Sequence, residues 1–168
     1  MTFTVFMYLY VSNLLSMKKH LLLLVLLSTG LAAYAQTNNS NYDAALAKKL
    51  GADDYGMKNY VMVILKTGPA KIESKEKLNE LFKGHMANIN KLADEGKLVV
   101  AGPFGANDKD YRGIFIFNVK TVEEANALLA GDPAIKEKLF EAEILPWYGS
   151  AALGEYLETH KKIEKKSH

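Results

Sequence analysis

The stretch LNELFKGHMANINKLADEGKLVVAGPF, Leu78–Phe104, decides how this chain folds. Placed 100° apart, Leu78, Leu81, Phe82, Ile89, Leu92 and Ala93 fall on one stripe, the core face of an amphipathic helix. Lys77, Asn79, Glu80, Lys83, Asn88, Asn90, Lys91 and Asp94 take the outer arc. His85 sits near the centre of the apolar stripe, one turn from both Leu81 and Ile89. Ser74 is placed to cap the start of the helix and Gly96 to end it. Leu98–Ala101 (LVVA) then reads as a buried strand, and Gly102-Pro103-Phe104-Gly105 opens a polar turn that runs to Asp110.

Working outward, Lys58–Lys66 (KNYVMVILK) is a nearly continuous apolar run rich in β-branched residues, expected as a central strand. Thr67-Gly68-Pro69 breaks it. On the other side, Tyr111–Val119 (YRGIFIFNV) predicts a strand with Ile114 and Ile116 on one face and Phe115 and Phe117 on the other. Thr121, with Glu123 and Glu124 behind it, opens a second helix that runs to Gly131. Asp132-Pro133 restarts it over AIKEKLF, with Asp132 as cap and Pro133 at the first helical position. Glu141–Tyr148 (EAEILPWY) is the last strand, its Pro146 suited to an end or a sheet edge. The order β-α-β-β-α-β predicts an α+β, ferredoxin-like fold: a four-stranded antiparallel sheet with two helices on one face. The uncovered face still carries large apolar side chains, Phe115 and Phe117 or their neighbours, so a homodimer formed through that sheet face is expected.

At 168 residues the chain has room for one such core. Residues 1–35 read as an upstream extension and a signal peptide, 36–57 as a lead-in with a short helix at Ala44–Leu50, 58–149 as the main domain, and 150–168 as a surface helix with a charged tail. The signal begins at Met17, with Met1–Ser16 upstream of it. Lys18 and Lys19 form its basic end, Leu21–Leu27 its apolar run, and Ala33-Tyr34-Ala35 its cleavage site ahead of Gln36. The competing reading is a retained anchor, but each apolar run is shorter than the roughly 20 residues that span a bilayer. A secreted or periplasmic protein is therefore expected, touching membrane only through the signal before cleavage. The formal charge of +2 comes from Lys18 and Lys19; the rest of the chain is balanced and has no footprint for nucleic acid. There is no cysteine, hence no disulfide or thiolate chemistry. His20 belongs to the signal, and His160 and His168 to the tail, so no metal site is expected from the histidines and no cofactor is implied.

His85 has two readings from the residues alone. It is either a core histidine satisfied by a carbonyl or carboxylate, or a proton-transfer group that needs an orienting partner. Asp132 is the candidate partner, since a capping carboxylate can spare one oxygen for an imidazole. Arg112 is a candidate for an anionic substrate group, against the commoner role of an exposed strand-end arginine. Gly102-x-x-Gly105 is read as a tight strand exit at the rim of a pocket, because no helix follows to make it a phosphate cradle. Trp147 and Tyr148 could line a pocket or pack in the core, and the lysine-rich tail reads as a solvated face.

Tyr60–Tyr148 resembles the YciI-like (YCII-related) family. The resemblance is carried by His85, Glu95-Gly96-Lys97-Leu98 into Ala101-Gly102-Pro103-Phe104, Arg112-Gly113, Glu123-Glu124-Ala125, Asp132-Pro133 and Pro146-Trp147. It implies a dimeric α+β barrel of ferredoxin-like subunits with a site built on a histidine–aspartate pair, here His85 and Asp132. One branch of the family eliminates chloride from a hydroxylated aromatic ring with that pair as acid and base. This chain differs from the commoner pattern in Ala134, where a bulky apolar residue is frequent, and in its signal segment. The resulting expectation is an enzyme acting on a small cyclic or aromatic compound by elimination or isomerisation. His85 would move the proton, Asp132 would orient it, and Gly102, Pro103 and Arg112 would shape the mouth. The alternative is a non-catalytic module for a small ligand or an interaction partner, with His85 structural.

Overall fold

In the computed structural model, Met7 and residues 39–166 are described, and the chain divides into two units, Met1–Asp43 and Ala44–His168. In the first unit Asn39–Tyr42 forms a turn closed by the Tyr42 amide on the Asn39 carbonyl at 3.0 Å. The signal and cleavage-site residues fall outside the described residues. Among those described, no helix is long and apolar enough to cross a membrane.

The second unit runs α1 (Ala44–Leu50), β1 (Met57–Thr67), α2 (Lys75–Asp94), β2 (Leu98–Pro103), β3 (Tyr111–Phe117), α3 (Val122–Leu129), α4 (Pro133–Lys136) and β4 (Phe140–Ser150). A 3-10 helix (Ala151–Tyr156) and α5 (Leu157–Ile163) follow. The four strands make one antiparallel sheet in the order β2-β3-β1-β4, the ferredoxin-like arrangement. The apolar run Tyr60–Leu65 lies in the centre because a strand flanked on both sides must be apolar on both faces. Its register sets Val61 opposite Phe117 and Val63 opposite Phe115, and opposite Ile144 on the other side. This alternation turns Val61, Val63, Leu65, Phe115 and Phe117 toward the helices, where Leu92, Ala125, Leu129 and Ala134 close the core. The opposite face gathers Tyr60, Val99 and Ile116, with Met62 and Trp147, and Leu153 of the 3-10 helix packs on them.

Several boundaries move from where the sequence puts them. Gly102 and Pro103 belong to β2 rather than to the turn, since they pair with Ile114 and Gly113 across the ladder. β3 stops at Phe117 because Asn118 bends back, its amide bonding the Lys97 carbonyl at 2.8 Å. α4 is a single turn and does not reach Phe140: Lys138 turns left-handed at φ 57° and Phe140 starts β4. The expected helix over 150–166 is instead a 3-10 helix followed by a short α-helix, because Ala151 is buried and its amide is tied to the Gly56 carbonyl at 2.9 Å.

Candidate active site

α2 carries the site. Ser74 caps it by accepting the Lys77 amide at 3.2 Å, as the sequence predicts. At its other end Gly96 takes φ 67°, and the Lys97 and Gly96 amides bond back to the Leu92 and Ala93 carbonyls at 2.9 and 3.0 Å. That close-out requires a left-handed residue, which glycine adopts without a Cβ penalty. It delivers the chain straight into β2 beside the helix. The apolar stripe then divides between two jobs. Leu81 and Leu92 are buried in the core, whereas Phe82, Met86, Ile89 and Ala93 face a cleft between α2 and the β2 edge.

His85 lies at the inner end of this cleft and is 8% exposed. Its Nδ1 is 2.6 Å from Oδ2 of Asp132, which is fully buried. Asp132 does two things with its two oxygens. Oδ1 accepts the Ala134 and Ile135 amides at 2.9 and 3.4 Å, capping α4, and Oδ2 meets the imidazole. The capping box of α3, with Thr121 and Glu124 bonded reciprocally, fixes the helix that leads into it. A carboxylate at Nδ1 assigns the neutral ring its proton there and leaves the lone pair on Nε2. Among the described residues no buried polar side-chain atom lacks a partner, and Asp132 is the one hydrogen-bond partner of the imidazole. Nε2 is therefore open to the cleft. Phe140 stands edge-on to the ring at 5.3 Å between centroids and Phe115 lies at 5.9 Å, so the imidazole turns little.

One residue in this arrangement escapes a reading by pattern. Gly84, adjacent to His85, has Pro133 against it: a Cβ added there would sit 2.5 Å from Pro133 Cγ. The missing side chain lets α4, and with it Asp132, approach α2 closely. A glycine inside a long helix costs about 1 kcal/mol relative to alanine, and that cost is the signal that could have drawn attention to it.

Gly102, Pro103 and Arg112 gather at the same cleft, which holds about 1010 Å³. Gly102 and Pro103 form its rim at the end of β2, with open space where a Gly102 side chain would be. Arg112 also lines the cleft, exposed, its Nε donating to Thr67 Oγ1 at 2.6 Å. Trp147 and Tyr148 lie elsewhere. Trp147 packs against Tyr60 on the far face of the sheet, and Tyr148 donates to Asp53. That hydroxyl and the Met57 amide hold the Asp53 carboxyl below the usual carboxylate range. The tail is exposed, as a solvated face should be, and His160, Lys161 and Glu164 also line the cleft, together with Tyr156 and Leu157 just before it. Leu157, Lys161 and Glu164 recur at helical spacing, a pattern visible in the sequence but masked by its charge. Burial pushes the Tyr156 hydroxyl up from its usual value, so it stays a donor to the Val99 carbonyl at 2.5 Å. Among the described residues no group of three His, Cys, Asp or Glu side chains is placed to hold a metal ion.

Chemically, a carboxylate-held imidazole with one free nitrogen over an apolar cleft can take up a proton and return it. Compared with known proteins, the chain matches no curated relative. A solved structure similar to it is 5-chloro-2-hydroxyhydroquinone dehydrochlorinase from Burkholderia phenoliruptrix in complex with 2,5-dihydroxybenzoquinone. The two are 23% identical over 52% of this chain and 92% of that one, with a TM-score of 0.38. The model of the YCII-related domain matches residues 59–148, more than half of the sequence, and the chain belongs to the YCII-related family.

Proposed function

We propose that this YCII-related protein is an exported, homodimeric enzyme that moves a proton on a small cyclic or aromatic compound, by elimination or isomerisation. The observation that carries the reading is the buried His85–Asp132 contact at 2.6 Å with Nε2 left open to the cleft. His85 Nε2 takes a proton from the substrate, and Asp132 steadies the imidazolium that forms. In an elimination the electron pair of the broken bond to hydrogen forms the new double bond, and the leaving group departs with its own pair. In an isomerisation the imidazolium returns the proton to a second atom. Arg112 holds an anionic oxygen at the mouth, and Gly102 and Pro103 keep the rim narrow and free of side-chain bulk.

General acid–base catalysis by one side chain is worth about 10²–10⁴-fold. His85→Gln, assayed on a panel of halogenated and hydroxylated aromatic compounds by halide release and ultraviolet absorbance, is expected to lose that factor in kcat with its melting curve retained. Full turnover by a folded His85→Gln protein would sink the reading in favour of a binding module.

The dimer and the export belong to the same proposal. Met62, Ile64, Ile114 and the exposed Leu145 lie on the sheet face away from α2 and suit a second copy. Light scattering on exported protein, with its N-terminus sequenced, is expected to give a dimer of chains that start at Gln36. A monomer, or a retained N-terminus, removes the corresponding part.

A further inference from the structure

The cleft is too long for the compound that the His85 end suggests. From His85 to Asp94 the α2 wall extends about 14 Å at 1.5 Å per residue. Its volume of about 1010 Å³ lies at the upper end of the roughly 300–1,000 Å³ that hold drug-sized ligands. A single ring against His85, Phe115 and Phe140 occupies only the inner part. Beyond it Met86, Ile89 and Ala93 continue an apolar strip along α2, with Asn90 and Asp94 beside it and His160, Lys161 and Glu164 of the C-terminal segment also in the lining. The far wall comes from residues that the family match, 59–148, does not include. The 3-10 helix is fixed by the Tyr60 hydroxyl on the Ser150 carbonyl at 2.8 Å and by Leu153 on the sheet, and Tyr156 fixes the start of α5 on Val99. α5 itself buries none of its residues and has no side-chain cap. Its polar cleft-lining side chains pair along the same segment, Lys161 with Glu158 at 3.3 Å and His160 Nε2 with Glu164 at 3.5 Å. Such an exposed, self-paired helix gains little by lying where it does, and the half-buried Leu157 is the apolar group that it offers to the cleft.

Resting on the acid–base reading of His85, we propose that the substrate is a ring bearing an apolar side chain of several carbons, whose chain runs along α2 to Leu157. Leu157 and the start of α5 thereby set the length of chain the site accepts. Nothing in this requires the chain to react; the ring end meets Nε2, and the tail is bound.

The test uses para-alkylphenols from para-cresol to para-hexylphenol, titrated against the whole protein while the imidazole resonances of His85 are followed by NMR. Each methylene that enters the apolar stretch is expected to tighten binding by up to about fourfold, as for a fully buried methylene. In Leu157→Asp the gain is expected to vanish for the longer chains while para-cresol binds unchanged. In Leu157→Trp the series should turn over at a shorter chain. A wild-type series flat in chain length, a length dependence untouched by both variants, or no saturable shift of His85 with any member would each overturn the proposal. Retained chain-length selection together with full turnover by His85→Gln would remove the catalytic reading and leave the tail site standing.

Discussion

The two walls of the cleft are built on opposite principles. On the α2 side the site is held by buried contacts: Asp132 is fully buried with both its oxygens bonded, one of them to His85 Nδ1, and two phenylalanine rings pack near the imidazole. On the α5 side the charged groups are exposed and pair within their own helix, and one tyrosine fixes its start to the sheet. The first wall is arranged for geometry, where small displacements matter to a reacting proton. The second is arranged for accommodation, where a ligand's bulk can be met by a shift of the wall.

That contrast can be broken most severely at Asp132. Asp132→Ala leaves the buried imidazole and two amides of α4 without an acceptor, and removing one member of a buried pair costs about 3–5 kcal/mol. Urea melts should show the loss; a cost near zero would mean that the first wall is not held by this carboxylate. Next comes Gly84→Ala. The methyl meets Pro133 and must push α4 away or distort α2, an overpacking cost of about 1–3 kcal/mol. Its sharper reading is chemical, since the shift separates Asp132 from His85. The NMR signal of the Nδ1 proton should move or broaden in Gly84→Ala, and an unchanged signal would show that the close approach does not position the pair. Smallest is Tyr156→Phe, which removes the hydroxyl on the Val99 carbonyl at a cost of about 1 kcal/mol. Hydrogen exchange is expected to rise in α5 while α2 amides keep their protection. Equal loosening of both helices would mean that the two walls are one unit.

The sequence makes one wall legible and hides the other. Helical period, the Ser74 cap and Gly96 place α2, and strand alternation at Ile114–Phe117 assigns both faces of β3, because these signals are local. The spatial contact of His85 and Asp132 crosses 47 positions and has no local signal. Capping chemistry nominates Asp132 for a helix start with an oxygen to spare for the histidine, and the family resemblance points to the same pair. Gly84 matters through Pro133, another long-range contact. The α5 wall is lost for a different reason: a lysine-rich amphipathic segment looks the same whether it faces water or a cleft, and only tertiary placement decides. Pro133 gives a false extension, since it starts α4 well but says nothing of the left-handed Lys138 that ends it.

The Tyr156 hydroxyl on the Val99 carbonyl reaches beyond ligand binding. β2 is an outer strand of the sheet, and such a strand presents unpaired backbone groups that can recruit a strand from another molecule. Tyr156 occupies one of those acceptors and brings the C-terminal segment alongside the edge. At the opposite margin, β4 carries Pro146, which has no amide hydrogen to offer. Both margins of the sheet are thus interrupted as templates for strand addition.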